Sequence, residues 1–480
     1  MNENLGKKAA SGLMWMFSER IIAQFVSFVV SVVLARILMP EEYGIVSLVL
    51  VYINIANVFV TSGLGQSLIK DKTTSSIDYN TVFITSFFIS WVLYFILFCI
   101  APYVATFYDN QSLTLVLRVI SFKIPIAAIN TVQSAYISRN MQFRKYFFST
   151  LIGTVTSGII GIIMAIHGFG VWALVAQYLL NSAIDTGVLF VTVKWKPRLQ
   201  FSYTVMKKHL SFGIKLTCSS LINTIYLEMQ SLFIGKVYTE KELGLYKRGN
   251  QFPSLIVNNV NSAVGSVMFP TFSKVADNRD ALKSMMRRSM TLTSYIITPM
   301  MIGMIAVARQ LVLVLLTEKW LPCVFFVQMA CLSYMSLPIQ TANCQAILAK
   351  GRSDIYLVME IIKKSFGVAI LLYTLHKGVP AIAVGAVCAV YISAIVSMIP
   401  NKALMNYSLR EQVLDLMPGC LMSAIMFVPI YLMNGLPIPS LVLLILQVLT
   451  GAAIYCGLSV LFKVDSFYYL LRLVKSYISK

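Results

Sequence analysis

Charge is scarce in this sequence: 12% of its 480 residues are Asp, Glu, Lys or Arg, against about 25% in soluble globular domains. That excludes an ordinary soluble enzyme. Acids are the scarcer sign, 19 against 39 Lys and Arg. Histidine occurs three times, and the eight cysteines stand singly in apolar runs with no C-x-x-C spacing. Neither a disulfide framework nor a zinc site is indicated, so no metal and no other cofactor is expected. There is no G-x-x-x-x-G-K-[ST] phosphate loop, no paired-acid motif of a sugar-nucleotide enzyme and no long outer loop in which a domain could form. His167 and His376 fall in outer turns, where a solvated histidine is the simpler reading than a catalytic one. Lacking a catalytic constellation, the chain is not expected to be an enzyme.

Long apolar runs are what the sequence has instead. Hydrophobic residues make up 58% of it, and the mean hydropathy is +0.77. Stretches near 20 apolar residues, the length that crosses a bilayer as a helix, are centred near Val26, Ala56, Tyr94, Pro125, Val155, Leu180, Asn223, Val257, Ile302, Met335, Ser365, Tyr391, Ile425 and Leu449. The expected fold is all-α and polytopic, with about 14 transmembrane helices. The first run has no small-residue cleavage site and is kept as a span. In this layout 25 Lys and Arg lie in segments on the side of the N-terminus and 4 (Lys236, Lys241, Lys319, Lys377) on the opposite side. By the positive-inside rule both termini are cytoplasmic. Most of the basic surplus is then topological, and a nucleic-acid partner is not expected because no basic domain exists to carry it.

Residues 7–65 resemble residues 207–265 without a gap, at an offset of 200. Lys7-Lys8 falls on Lys207-Lys208, Arg36 on Lys236, Glu42 on Glu242, Gly44 on Gly244, Ser62 on Ser262 and Gly65 on Gly265. A weaker echo pairs His167 with His376. Two parallel six-helix bundles are expected, at 1–200 and 201–402, followed by an additional helix pair and a basic cytoplasmic tail at 403–480. The small-residue stripe Gly153, Ser157, Gly161 allows close helix contact within a bundle.

Several spans carry polar stripes at helical spacing: Asn54, Asn57, Thr61 and Gly65 in the second, Lys215, Ser219, Asn223, Tyr226 and Gln230 in the seventh, Lys247, Asn250, Ser254 and Asn258 in the eighth. Packed hydrogen bonding and a water-filled cavity are both open readings of the uncharged members. Charge is harder to place, because a charged side chain at mid-helix costs about 2.5–3.5 kcal/mol on insertion scales. Six in-span cations, Arg20, Arg118, Lys123, Lys215, Lys363 and Lys364, are candidate substrate contacts. Arg36, Lys247, Arg248 and Arg309 lie nearer span ends, where snorkelling accounts for them. The acids Glu19, Asp185, Glu228 and Glu360 are candidate proton or sodium sites or, equally, ion-pair partners of the cations. Glu360 with Lys363 and Lys364 reads either as an intrahelical ion pair or as a phosphate contact. An interior with cations in excess suits an anionic group, phosphate above all. Pro125, close after Arg118 and Lys123, is expected to kink its helix.

The run Ala35-Arg36-Ile37-Leu38-Met39-Pro40-Glu41-Glu42-Tyr43-Gly44, with Gly63-Leu64-Gly65, resembles the N-terminal signature of polysaccharide exporters in the multidrug/oligosaccharidyl-lipid/polysaccharide superfamily. Arg139-Asn140-Met141-Gln142-Phe143, the segment from Gly168 to Val175, Leu243-Gly244-Leu245-Tyr246 and Phe269-Pro270 are similar to later segments of that family. The branch most like this sequence holds colanic-acid-type and lipopolysaccharide-biosynthesis exporters. The resemblance implies a flippase in the bacterial inner membrane that moves an undecaprenyl-diphosphate-linked oligosaccharide to the outer leaflet, beside polysaccharide-assembly proteins, and the internal repeat, which supplies both halves, leads us to expect a working monomer. It transfers no binding residues, since family members differ there with their sugars. A multidrug antiporter of the same superfamily and a membrane glycosyltransferase or polymerase are the alternatives. The first would present acids to a cationic drug, and the second lacks its catalytic groups.

Overall fold

The computed structural model describes residues 22–71, 74–140, 142 and 144–478. Among them no strand occurs, and the chain divides into two compact units, Met1–Gly244 and Leu245–Lys480. The first unit contains α1 (Ile22–Ile37), α2 (Pro40–Thr61), α3 (Leu64–Lys70), α4 (Ser76–Phe107), α5 (Ser112–Ile120), α6 (Lys123–Arg139), α7 (Arg144–Ile166), α8 (Val171–Thr192) and α9 (Tyr203–Val237). Then come α10 (Glu240–Lys274), α11 (Arg279–Leu315), α12 (Val324–Tyr334), α13 (Leu337–Ala349), α14 (Ser353–Thr374), α15 (Val379–Met398), α16 (Pro400–Met405), α17 (Leu409–Leu432), α18 (Ser440–Leu461) and α19 (Asp465–Ile478).

Each of the fourteen expected span centres falls on a helix or, at Met335, on the break between two. Among the described residues ten helices, counting broken ones as single passes, are long and apolar enough to cross a membrane. The other four, α1, α9, α10 and α14, are shorter as described or more polar. Three of those four carry the in-span charges Lys215, Glu228, Glu360, Lys363 and Lys364 and the stripe of Asn250 and Ser254, which lower their hydropathy.

Local chemistry sets the helix ends. At α4 the Ser75 N–H donates to Asp78 Oδ2 at 2.8 Å, and at α17 Ser408 and Glu411 cap each other reciprocally, at 3.0 and 3.2 Å. Two prolines break their helices where elementary sterics requires it, since a proline ring clashes with the carbonyl four residues earlier. Pro125 lies four residues after Ser121, at which α5 ends, and Pro338 lies four residues after Tyr334, the last residue of α12. The kink expected at Pro125 is therefore a full break with a restarted helix.

In the first unit α7 and α8 form a tight hairpin. The stripe of Gly153, Ser157 and Gly161 sits where close contact is needed: a Cβ on Gly153 would lie 3.1 Å from the Asn181 carbonyl oxygen, and one on Gly161 3.3 Å from that of Ala173. A core of Leu64, Leu68, Tyr79, Val132, Leu189 and Trp195 joins α3, α4, α6 and the end of α8. In the second unit α11 is the central helix, packed on α12, α13, α17 and α18, with α14 and α15 as a second hairpin. Although the sequence repeat restarts near residue 207, α9 packs on α2, α3 and α4 and so belongs to the first compact unit.

Candidate functional site

The face of α2 against α9 collects the polar groups of two spans. Both helices are long because their apolar positions recur at helical spacing, while their asparagines and serines recur on one stripe. The Asn54 amide donates to Glu228 Oε1 at 3.0 Å, and Ser231 Oγ donates to Glu228 Oε2 at 3.4 Å. Thr61 Oγ1 turns back to the Asn57 carbonyl at 2.8 Å. Asn54 and Thr61 on α2 and Lys215, Ser219 and Asn223 on α9 are exposed. Exposed amides and an ammonium inside membrane-length helices are tolerated where they face a water-filled space and not where they face hydrocarbon.

Glycines close both ends of this face. Near the start of α2, a Cβ on Gly44 would lie 2.5 Å from the carbonyl carbon of Glu240, and a Cβ on Gly244 would lie 3.0 Å from that of Pro40. The two contacts exchange under the offset of 200, for 40 corresponds to 240 and 44 to 244. Between them the Lys241 ammonium meets Glu41, itself the equivalent of residue 241, at 3.3 Å. The capping of each helix start repeats as well: Met39 N–H donates to Glu42 at 2.7 Å and Thr239 N–H to Glu242 at 3.1 Å. At the other end of α2, a Cβ on Gly63 would lie 2.5 Å from the Gly213 carbonyl oxygen.

Beside that second closure is a buried network that sequence reasoning missed. His209 Nε2 donates to Asp78 Oδ1 at 3.0 Å, its Nδ1 lies 2.9 Å from Ser67 Oγ, and His209 and Asp78 are 2% and 5% exposed. Lys208 pairs with Asp71, and Arg139 bonds the Asp71 carbonyl and Thr74 Oγ1. Ligand atoms of Asp71, Asp78 and His209 lie within 4.8 Å of one another. Every one of these three side chains already has a protein partner, so the cluster ties α3, α4, α6 and α9 together through hydrogen bonds and the Lys208–Asp71 ion pair. The signal for it was one histidine at a span start, directly after Lys207-Lys208, with its partner 131 residues away.

The other expected residues are dispersed. Glu19 and Arg20 lie outside the described residues. Arg118 is half-buried, its guanidinium 4.2 Å from the Phe98 ring centre and its Nε donating to the Phe98 carbonyl at 3.2 Å. Lys123 stands 5.6 Å from the Tyr178 ring centre, and Asp185 accepts from the Asn130 amide at 2.8 Å. In the second unit Lys363 is buried and pairs with Glu360 one turn earlier, while Lys364 is half-buried. Arg248, expected to snorkel, is instead 3% exposed, between the rings of Phe252 and Trp320 at 5.6 and 5.8 Å. Two aromatic faces offer its cation an alternative to water, and it also donates to Gln251 Oε1 at 2.6 Å.

Residues 33–325 match the family described as Polysaccharide biosynthesis protein. The succinoglycan biosynthesis transport protein ExoT of Rhizobium meliloti (strain 1021) is 28% identical over 293 residues, which are 61% of this chain and 59% of that protein. The lipopolysaccharide biosynthesis protein WzxC of Escherichia coli (strain K12) is 23% identical over 423 residues, 86% of this chain and 85% of that one. Among solved structures, the lipid II flippase MurJ in an inward closed conformation matches with a TM-score of 0.74 at 16% identity, covering 95% of this chain and 99% of that chain. An inward-facing multidrug resistance MATE family transporter of the MOP superfamily matches with a TM-score of 0.60 at 13% identity, covering 82% and 99%. These last two likenesses concern the fold.

Proposed function

Because the chain belongs to the family described as Polysaccharide biosynthesis protein, we propose that it is an exporter of the multidrug/oligosaccharidyl-lipid/polysaccharide superfamily and flips an undecaprenyl-diphosphate-linked oligosaccharide across the bacterial inner membrane by alternating access. The observation that carries this reading is the exposed polar face of α2 and α9, with Lys215 among Ser219, Asn223, Asn54 and Thr61. An ammonium and amides in a wet space suit a diphosphate and its sugars, while the lipid tail remains in the bilayer. Arg20, Arg118, Lys123, Lys363 and Lys364 are further proposed contacts. Glu19, Asp185, Glu228 and Glu360 are proposed proton or sodium sites, and Glu228, on the polar face itself, is the foremost of them. Both termini are assigned to the cytoplasm, and the monomer is the working unit because the repeat supplies both halves.

A drug antiporter of similar fold would present acids to a cationic drug, whereas ten cations and four acids occupy the spans of this sequence. The deciding experiment deletes the gene in its host and follows surface polysaccharide and lipid-linked intermediates, with an impermeant lectin reporting the leaflet. Loss of polymer with complete intermediates held on the cytoplasmic face is expected. Truncated intermediates would move the protein into synthesis, and unchanged polymer would overturn the reading.

A further inference from the structure

The second unit holds a cavity of about 970 Å³, bounded by α11, α17 and the corner between α18 and α19. That is at the upper end of ordinary ligand pockets. Its lining on α11 runs from Ser284 to Thr298, about 21 Å of helix at 1.5 Å per residue. One part is cationic, with Arg287, Arg288, Lys463 and Arg472, and the rest is walled by apolar groups such as Leu292, Met422 and Ile425.

The charges are unequally matched. Arg287 pairs with Asp415, which also accepts from Tyr407 Oη at 2.6 Å. Among the described residues no carboxylate pairs with Arg288, Lys463 or Arg472, and Asp465 is the other acid of the lining. Arg288 stacks 3.9 Å from the Tyr469 ring centre, which fixes its guanidinium at the cavity wall and leaves its edge able to donate. Lys463 occupies the left-handed position after α18, φ 49°, where its N–H bonds the Val460 carbonyl at 3.2 Å and the Val464 N–H bonds that of Ser459 at 3.0 Å. Glycine is the residue that position favours, yet here it carries a cation.

We propose that this cavity binds an anionic membrane phospholipid, its phosphodiester held by Arg288, Lys463 and Arg472 and one acyl chain lying along Leu292, Met422 and Ile425. Basic pockets between membrane helices take anionic headgroups through charge, and the apolar wall selects a tailed phosphate over a free one. The assignment does not depend on the cargo.

The test uses the full chain, purified in detergent and titrated with phosphatidylglycerol or phosphatidylcholine, with bound lipid read by native mass spectrometry. Tighter binding of phosphatidylglycerol is expected, weakened about fivefold by each of Arg288→Gln and Lys463→Gln. Gly419→Phe supplies an independent test, because a Cβ there meets nothing within 4 Å and the ring can fill the cavity it lines. It should abolish phosphatidylglycerol binding while leaving the melting temperature of the lipid-free protein unchanged. Equal binding of the two lipids, or binding indifferent to all three substitutions, would overturn the proposal. So would displacement by inorganic phosphate, which needs no acyl wall, or by undecaprenyl phosphate at equal concentration, which would give the site to the carrier.

Discussion

Gly44→Ala should open the contact at the start of α2. The added methyl would sit 2.5 Å from the carbonyl carbon of Glu240, whereas carbons in ordinary contact stand about 3.5 Å apart or more. The Glu240 carbonyl oxygen lies closer still, so the two backbone segments must part by more than about 1 Å. Because the obstruction is backbone, no rotamer change relieves it, and the cost belongs near the top of the about 1–3 kcal/mol range for overpacking. About 3 kcal/mol corresponds to a shift of roughly 150-fold in the population of the closed contact. The assay places cysteines at Glu41 and Lys241, whose side chains now meet at 3.3 Å, and measures the rate of cross-linking by a short bifunctional reagent. Removing that exposed ion pair costs little, about 0–1 kcal/mol. Gly187→Ala is the control, since a Cβ there meets nothing within 4 Å. Slower cross-linking in Gly44→Ala than in the control is expected, together with altered export. Equal rates would refute the claim that this glycine permits the closure.

Asp78→Ala leaves the buried His209 ring without its acceptor, and a buried polar group left unsatisfied costs about 1–3 kcal/mol. Thermal unfolding should show that penalty for Asp78→Ala and for His209→Ala, but not their sum in the double variant; additive losses would dissolve the coupling. Glu228→Gln keeps a hydrogen-bonding side chain beside Asn54 and removes the charge, so export should persist at a lower rate and lose its dependence on a proton or sodium gradient. Lys215→Ala should weaken export while Lys215→Arg preserves most of it, as complementation of a deletion strain would report. Arg118→Ala with Lys123→Ala should abolish export at normal protein levels, and full export by the double variant would remove both from the proposed contacts.

Local features were legible in the sequence because their causes are local. The apolar runs marked the helices, Pro125 marked a kink that the structure carries through to a full break, and Gly153, Ser157 and Gly161 marked a close helix contact. The matched Glu42 and Glu242 turned out to cap equivalent helix starts. Tertiary partners were not legible, for periodicity says which face a residue shares and not what that face meets. Nothing in the sequence joined Asn54 to Glu228 or Asp78 to His209, 174 and 131 residues apart. Arg248 shows the same limit: its place near a span end suggested water, and two aromatic rings made burial the alternative.

The pairing of Glu41 with Lys241 bears on ancestry and self-recognition. Positions 200 residues apart in the two resembling segments face each other there with opposite sign. Had the two copies remained identical, glutamate would confront glutamate or lysine would confront lysine, and like charges placed opposite one another repel. Each copy of the motif is thus complementary to its sibling and mismatched to itself, which discourages the same repeat of two chains from pairing with its own kind as they insert side by side in a crowded membrane.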